Sequence, residues 1–261
     1  MLKLKNISKT FNTGTDKKKA LRNLTLDVKP NDFITVIGAN GAGKSTMFAA
    51  ICGSYICDEG EIILDGKDIT MKPQHKRAKD IGILFQDPMK GTAPGLTVEE
   101  NLALATGKGG WLSALGKKEK SELRELVAAL GMGLEDRMDA QVGLLSGGQR
   151  QALTLIMATA TTPKLLLLDE HTAALDPRTA EKVLEITKKI VAEKKLTCLM
   201  ITHNMASALE LGNRTIMMHN GSIVTDVEGT ERAKLGVPDL LEKFRQAAGK
   251  ELDNDRMLLV D

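Results

Sequence analysis

"FITVIGANGAGKST", Phe33 to Thr46, decides the fold. "FITVIG" (33–38) is a nearly continuous apolar run that ends in glycine. That is the pattern of a central strand in a parallel sheet, buried on both faces. "GANGAGKST" matches G-x-x-x-x-G-K-[ST], and "KSTMFAAICG" behind it reads as a helix. In such a loop glycines let the backbone curl until successive N–H groups point inward as an anion nest. The following helix adds the positive end of its dipole at the same place. Lys44 reaches the β- and γ-phosphates of a nucleotide, the Ser45 hydroxyl is a ligand for Mg²⁺, and Thr46 adds a phosphate contact. Gly38, Ala39, Asn40, Gly41, Ala42, Gly43, Lys44, Ser45 and Thr46 are therefore the candidate nucleotide-binding loop. By itself the loop says only that a nucleoside triphosphate binds.

On either side the chain alternates strand and helix. "LKLKNISKTF" (2–11) and "ALRNLTLDVK" (20–29) alternate apolar and polar residues, as half-buried antiparallel strands do. "GEIILDGKDI" carries Asp65-Gly66, a hairpin turn. "DIGILFQD" is a buried strand ending at Gln86. From about Pro88 to Leu145 the period becomes helical, in "LTVEENLALA" and "SELRELVAALG", with glycine-rich loops between. "KLLLLDE" (164–170) and "LTCLMITH" (196–203) are again buried strands, and "TAEKVLEITKKIVAEK" between them is a helix, a βαβ unit. "TIMMHNGSIVTDV" folds back at Asn220-Gly221, and "VPDLLEKFRQAAG" is an amphipathic helix opened by Pro238. The expectation is an α/β protein. It has a mainly parallel sheet, an N-terminal antiparallel β subdomain and an inserted α-helical subdomain at about 88–160. A helical tail follows at about 228–261, and all of this makes one domain, 1–261.

Composition narrows the classes. At 261 residues, 42% hydrophobic, the chain can bury a large core. Lys plus Arg number 36 against 34 Asp plus Glu, a net charge of +2, which argues against a nucleic-acid binder. The basic stretches "TDKKKA" and "GKKEK" read as solvated faces. Three cysteines, Cys52, Cys57 and Cys198, form no C-x-x-C pair, which fits a reducing compartment. No secretory leader begins the chain, and no apolar run approaches the ~18–20 residues that cross a bilayer. At a membrane, a partner must do the crossing. The histidines (75, 171, 203, 219) have no zinc-pair spacing.

"LSGGQ", Leu145 to Gln149, is the second motif. Ser146 suits a helix N-cap, and Gly147 and Gly148 leave amides bare at a helix start, a second phosphate site. With it the sequence resembles the ATP-binding-cassette (ABC) family over residues 2–226. That family orders a phosphate loop, a glutamine loop, LSGGQ, an acid-tipped strand, a D-loop and a switch histidine. Here Gln86 in "LFQD", "LLLLDE", "AALD" and His203 in "ITHN" stand in that order.

The resemblance implies hydrolysis of ATP to ADP and phosphate, a reaction run by positioning and charge. Asp169 would hold Mg²⁺ and Glu170 act as general base. Gln86 would touch the metal or the attacking water, and His203 the γ-phosphate. Phe11 would stack on adenine. Ser146, Gly147, Gly148 and Gln149 of one subunit would close on the ATP of the other, with Asp176 joining communication across that ATP-bound homodimer. It further implies transmembrane permease subunits, an indirect link to a solute-binding lipoprotein, and a peripheral place on the cytoplasmic face of the membrane. Where transporters commonly have proline after the acid pair, this chain has His171, and "RQALTLIMATATTP" replaces an Arg- and Ala-rich helix. Both departures resemble a bacterial importer subgroup, some of whose members are assigned to tryptophan or tyrosine. Trp111 reads as core or partner surface. Rival readings are the ATPase of an exporter, a non-transport ABC ATPase, and a P-loop kinase or GTPase. Repair-type members need long coiled coils, ribosome-type members two cassettes, and LSGGQ with the acid pair 169–170 disfavours the last.

Overall fold

Alternation in the first 28 residues gives each segment one face to bury, and two long antiparallel strands bury it. The computed structural model describes residues 1–14, 16–108 and 115–248. In chain order the strands are β1 Leu2–Thr13, β2 Asp16–Val28, β3 Phe33–Ile37, β4 Glu59–Leu64, β5 Lys67–Asp68, β6 Ile81–Leu84, β7 Leu165–Asp169, β8 Thr197–Ile201, β9 Arg214–His219 and β10 Ser222–Glu228. The helices are α1 Lys44–Cys52, α2 Gln74–Arg77, α3 Val98–Thr106, α4 Lys117–Ala128, α5 Gly147–Thr159, α6 Pro177–Glu193, α7 Met205–Glu210, α8 Gly229–Ala233 and α9 Val237–Ala248. The architecture is α/β, as the alternation of strands and helices predicts.

The chain divides into two compact units. The first holds Met1–Ile81 and the described residues from Leu196 onward. In it β2, β1, β4 and β5 form an antiparallel sheet, with Leu2, Leu4, Ile7, Leu21, Leu24, Leu26 and Val28 buried. Beside it β3 lies between β8 and β9, parallel to both, and β10 pairs antiparallel with β9. Every residue of β3 is buried, as its unbroken apolar run requires. Arg77, 2% exposed, donates from Nη1 to the carbonyls of Ala50 (2.8 Å) and Ile51 (2.7 Å), from Nη2 to Thr70 (3.0 Å) and from Nε to Lys72 (2.7 Å). It thereby satisfies the last carbonyls of α1, which the helix cannot bond itself. Helix α9 buries Leu240 and Phe244 against Ile37, Met205, Ala208 and Met217.

The second unit spans Gly82–Lys195. Strands β6 and β7 are neighbours, and α3 to α6 supply the helical part. Strand β6 stops at Leu84, two residues short of the expected Gln86. Asp87 ends it, because its side chain accepts from Met89 N–H at 2.9 Å and starts a tight turn. Trp111 lies outside the described residues. Among the described residues no helix is long and apolar enough to cross a membrane.

His171, just after β7, is 3% exposed. Its Nε2 lies 3.1 Å from Thr187 Oγ1 on α6. That hydroxyl spends its one proton on Val183 O, 2.8 Å away, so Nε2 carries the hydrogen and donates. Burial pulls the imidazole down to about 4, so it is neutral in the folded chain. The unfolded chain protonates here near pH 6.5 and the folded one only near 4, so stability falls as pH drops through that window. Unfolding followed from pH 7 to 4 should show the parent losing up to about 1.4 kcal/mol per pH unit more than His171→Leu. Parallel pH profiles for the two would contradict the buried neutral state.

Candidate functional site

The phosphate loop is built from its flanks. Gly38 follows β3, and a Cβ on it would stand 2.3 Å from Met218 O of β9, so the chain has room only for glycine there. Gly43 holds φ +104 at the N-cap of α1, a left-handed conformation that side chains resist. The loop is held from outside by Gly221 of the β9–β10 turn, whose N–H donates to Ala42 O at 2.9 Å. Arg22 N–H of β2 in turn donates to Gly221 O at 2.9 Å. Lys44 is 5% exposed, and its ammonium donates to Gly38 O (2.6 Å) and Ala39 O (3.1 Å).

No side chain caps α1 and no acid stands in its first turn. Side chains cap four other helices, Thr97 for α3, Ser146 for α5, Asp176 for α6 and Asn204 for α7, while α2, α4 and α8 lack such a cap as α1 does. The N-terminus of α1, with a buried ammonium beside it, is built for an anion.

Two further expected residues lie in this unit. Phe11 is half-buried near the end of β1 and stands opposite Lys18 of β2. Its ring meets Tyr55 edge-on, centroids 5.1 Å apart, and the ammonium of Lys9 lies 5.8 Å from its centroid. Asp58 Oδ1 and Ile56 O each fix that ammonium at 2.8 Å. Tyr55 was not legible as a partner, since nothing in a spacing ties position 55 to position 11. His203, exposed, follows β8. The register pairs Val36 with Ile201, and Thr202 N–H donates to Val36 O at 3.2 Å. His203 thus leaves the same strand edge from which β3 enters the loop, the edge where ligands bind in parallel sheets. His75 sits exposed in the single turn of α2. His219 is half-buried, with the Phe244 ring of α9 edge-on to it at 6.1 Å.

The second unit carries Gln86, Ser146 to Gln149, Asp169, Glu170 and Asp176. Four fully buried leucines deliver Asp169, half-buried, to the end of β7. Glu170 follows with φ +47, a left-handed conformation that costs a non-glycine residue about 1 kcal/mol. Its carbonyl accepts from Ala173 N–H at 3.0 Å, which turns the chain sharply after the strand. Gln86 is exposed beyond β6.

At the signature, Ser146 Oγ accepts from Gln149 N–H (3.3 Å) and Gln149 Oε1 accepts from Ser146 N–H (3.3 Å). Gln149 Nε2 donates to Met132 O at 3.1 Å, and Arg137 Nη1 to Gln149 Oε1 at 3.2 Å. Gly148 has a packing reason as well as an electrostatic one, since a Cβ there would lie 2.1 Å from Thr179 Cγ2 on α6. Asp176, exposed, accepts from Thr179 N–H at 3.1 Å as the cap of α6. The Thr179 hydroxyl first and its N–H second hold the Asp176 carboxyl below its usual range. Among the described residues no three His, Cys, Asp or Glu gather to hold a metal. Gln86 and Asp169 of this unit, and Ser45 of the first, each carry a hard oxygen atom of the kind Mg²⁺ takes.

Residues 21–173 match the family described as ABC transporter. The chain is 44% identical over 250 residues to the tyrosine transport ATP-binding protein of Clostridioides difficile (strain R20291), covering 95% of this chain and 100% of that one. It is 36% identical over 229 residues to the methionine import ATP-binding protein MetN 1 of Staphylococcus aureus (strain USA300), covering 86% of this chain and 64% of the relative. Among solved structures it is similar to the dimeric, post-hydrolysis ATP-binding cassette MJ0796 bound to ADP and Pi. The TM-score there is 0.76 at 30% identity, over 87% of this chain and 98% of that one. The ADP conformation of the cassette MJ1267 matches with TM-score 0.76 at 28% identity, over 94% and 98%. With the phosphate loop, the signature helix and the acid-tipped strand in place, the chain belongs to the ABC transporter family as an ATP-binding cassette and is an ATPase of that family.

Proposed function

We propose that the chain powers import of a small solute, tyrosine or a related aromatic amino acid, as the ATP-hydrolysing partner of separate membrane permease subunits. The observation that carries the ATPase part is the uncapped N-terminus of α1 beside the buried Lys44. The solute rests on the tyrosine transport relative, which aligns over its whole length. In this reading Gly38 to Thr46 hold the phosphates of ATP, and Lys44 offsets the charge that shifts between the β- and γ-phosphates. Ser45, Gln86 and Asp169 would hold Mg²⁺, which would offset negative charge on the phosphates. Glu170 takes a proton from the attacking water, and it follows directly on the end of β7 with a left-handed backbone. His203 contacts the γ-phosphate and Phe11 stacks on adenine.

Two copies of the chain close head to tail on ATP, each lending Ser146, Gly147, Gly148 and Gln149 to the other. MJ0796, whose solved form is dimeric, supports that arrangement. Asp176 lies at the joint between the two copies. A solute-binding lipoprotein feeds the permease from the far side, and the ATPase sits on the cytoplasmic face.

Glu170→Gln should keep ATP binding, lose at least about a hundredfold in turnover, and accumulate an ATP-bound dimer measured by light scattering. Near-normal turnover would remove Glu170 as the base. Cells lacking the protein should lose uptake of labelled tyrosine and regain it with the intact gene but not with Glu170→Gln. Unchanged tyrosine uptake, with loss of another solute, would reassign the cargo.

A further inference from the structure

Three lysines of the first sheet are paired with carboxylates. Lys3 pairs with Asp27 (3.0 Å), Lys5 with Glu61 (3.1 Å) and Lys9 with Asp58 (2.8 Å). Lys18 makes no such pair among the described residues. Its position is set by register. It stands opposite Phe11, and directly opposed residues of an antiparallel pair put their side chains on the same face. The register shift between Lys9 and Thr10 sets that pairing, since without it the strand would present the other face. Lys17 and Lys19, its neighbours, point to the opposite face by the two-residue period of a strand. From the Phe11 face Lys18 reaches the phosphate loop. The atom nearest to a Cβ placed on Gly41 is Lys18 Nζ, 3.8 Å away. Aromatic ring, unpaired ammonium and loop backbone therefore share one side of the unit.

We propose that Lys18 is a second ammonium for the polyphosphate of the nucleotide, delivered by β2 to the outer side of the loop at Gly41. Lys44 serves the loop from inside, where burial and two carbonyls fix it. Lys18 serves it from the solvent side, where it is exposed and its contact is screened by salt. The inference rests on the phosphate-loop reading above and adds one residue that none of the motifs quoted above contains. The reach of Lys18 also links the two ends of the ligand, since the strand that presents the ammonium is paired to the one that presents the Phe11 ring.

Calorimetric titration of the full chain with ATP and with inorganic tripolyphosphate, at about 50 mM and about 500 mM salt, tests it. Lys18→Gln should weaken both ligands about 3- to 10-fold at low salt. The deficit should shrink at high salt, and Lys18→Arg should restore most of the affinity. Phe11→Ala should weaken ATP and leave tripolyphosphate unchanged. Parental affinity of Lys18→Gln for tripolyphosphate at low salt would overturn the proposal, whether or not ATP binding changes. A deficit that Lys18→Arg shares would also overturn it, because that outcome marks a structural role. If Lys44→Ala binds both ligands as the parent does, the phosphate-loop reading itself is what fails.

Discussion

A buried ammonium can persist only where oxygen atoms surround it. In this chain the ammonium of Lys44 is satisfied by the carbonyls of Gly38 and Ala39, and much of the first unit shapes that arrangement. The loop must curl for those carbonyls to converge, so Gly43 holds a left-handed conformation. It must also lie close to β9, so Gly38 has no room for a side chain. Strand β3 is clamped between two parallel neighbours, and the β9–β10 turn bonds to the loop and to β2 together. Arg77 closes the far end of α1. A loop fixed in advance binds phosphate without paying again for its own ordering.

Side chains cap some helix starts and leave others bare. At four other helices Thr97, Ser146, Asp176 or Asn204 accepts a first-turn N–H. Helices α1, α2, α4 and α8 have no such side chain, and of these α1 is the one that starts on a buried ammonium, that of Lys44. The signature helix stands between the two cases. Ser146 caps it by accepting a hydrogen bond, which leaves the hydroxyl proton available for a phosphate oxygen. One residue can therefore hold the helix start and still recognise an anion.

Much of this was legible because chemistry demands fixed spacings. The phosphate loop, the signature and the acid pair 169–170 each depend on neighbours in sequence, and a strand-turn-helix context is enough to read them. The Asn220-Gly221 turn was read as a hairpin, and it is one. Its bond to the loop was not legible, since it joins residues about 180 positions apart. Arg77 and Tyr55 escaped for the same reason, their partners being set by packing. The end of β6 was misplaced by two residues because Asp87 captures a backbone N–H that the apolar pattern does not register. His171, read as a departure from the usual proline, is a neutral packing residue, held by a hydroxyl of α6 and by burial.

The central claim is that the phosphate loop and the signature helix are halves of one ATP site completed by a second copy of the chain. Phosphate release per chain, measured across a wide range of chain concentrations at saturating ATP, tests it most directly. The account predicts specific activity that climbs with chain concentration and then levels off as dimers fill. Constant specific activity down to concentrations at which light scattering finds only single chains would contradict it.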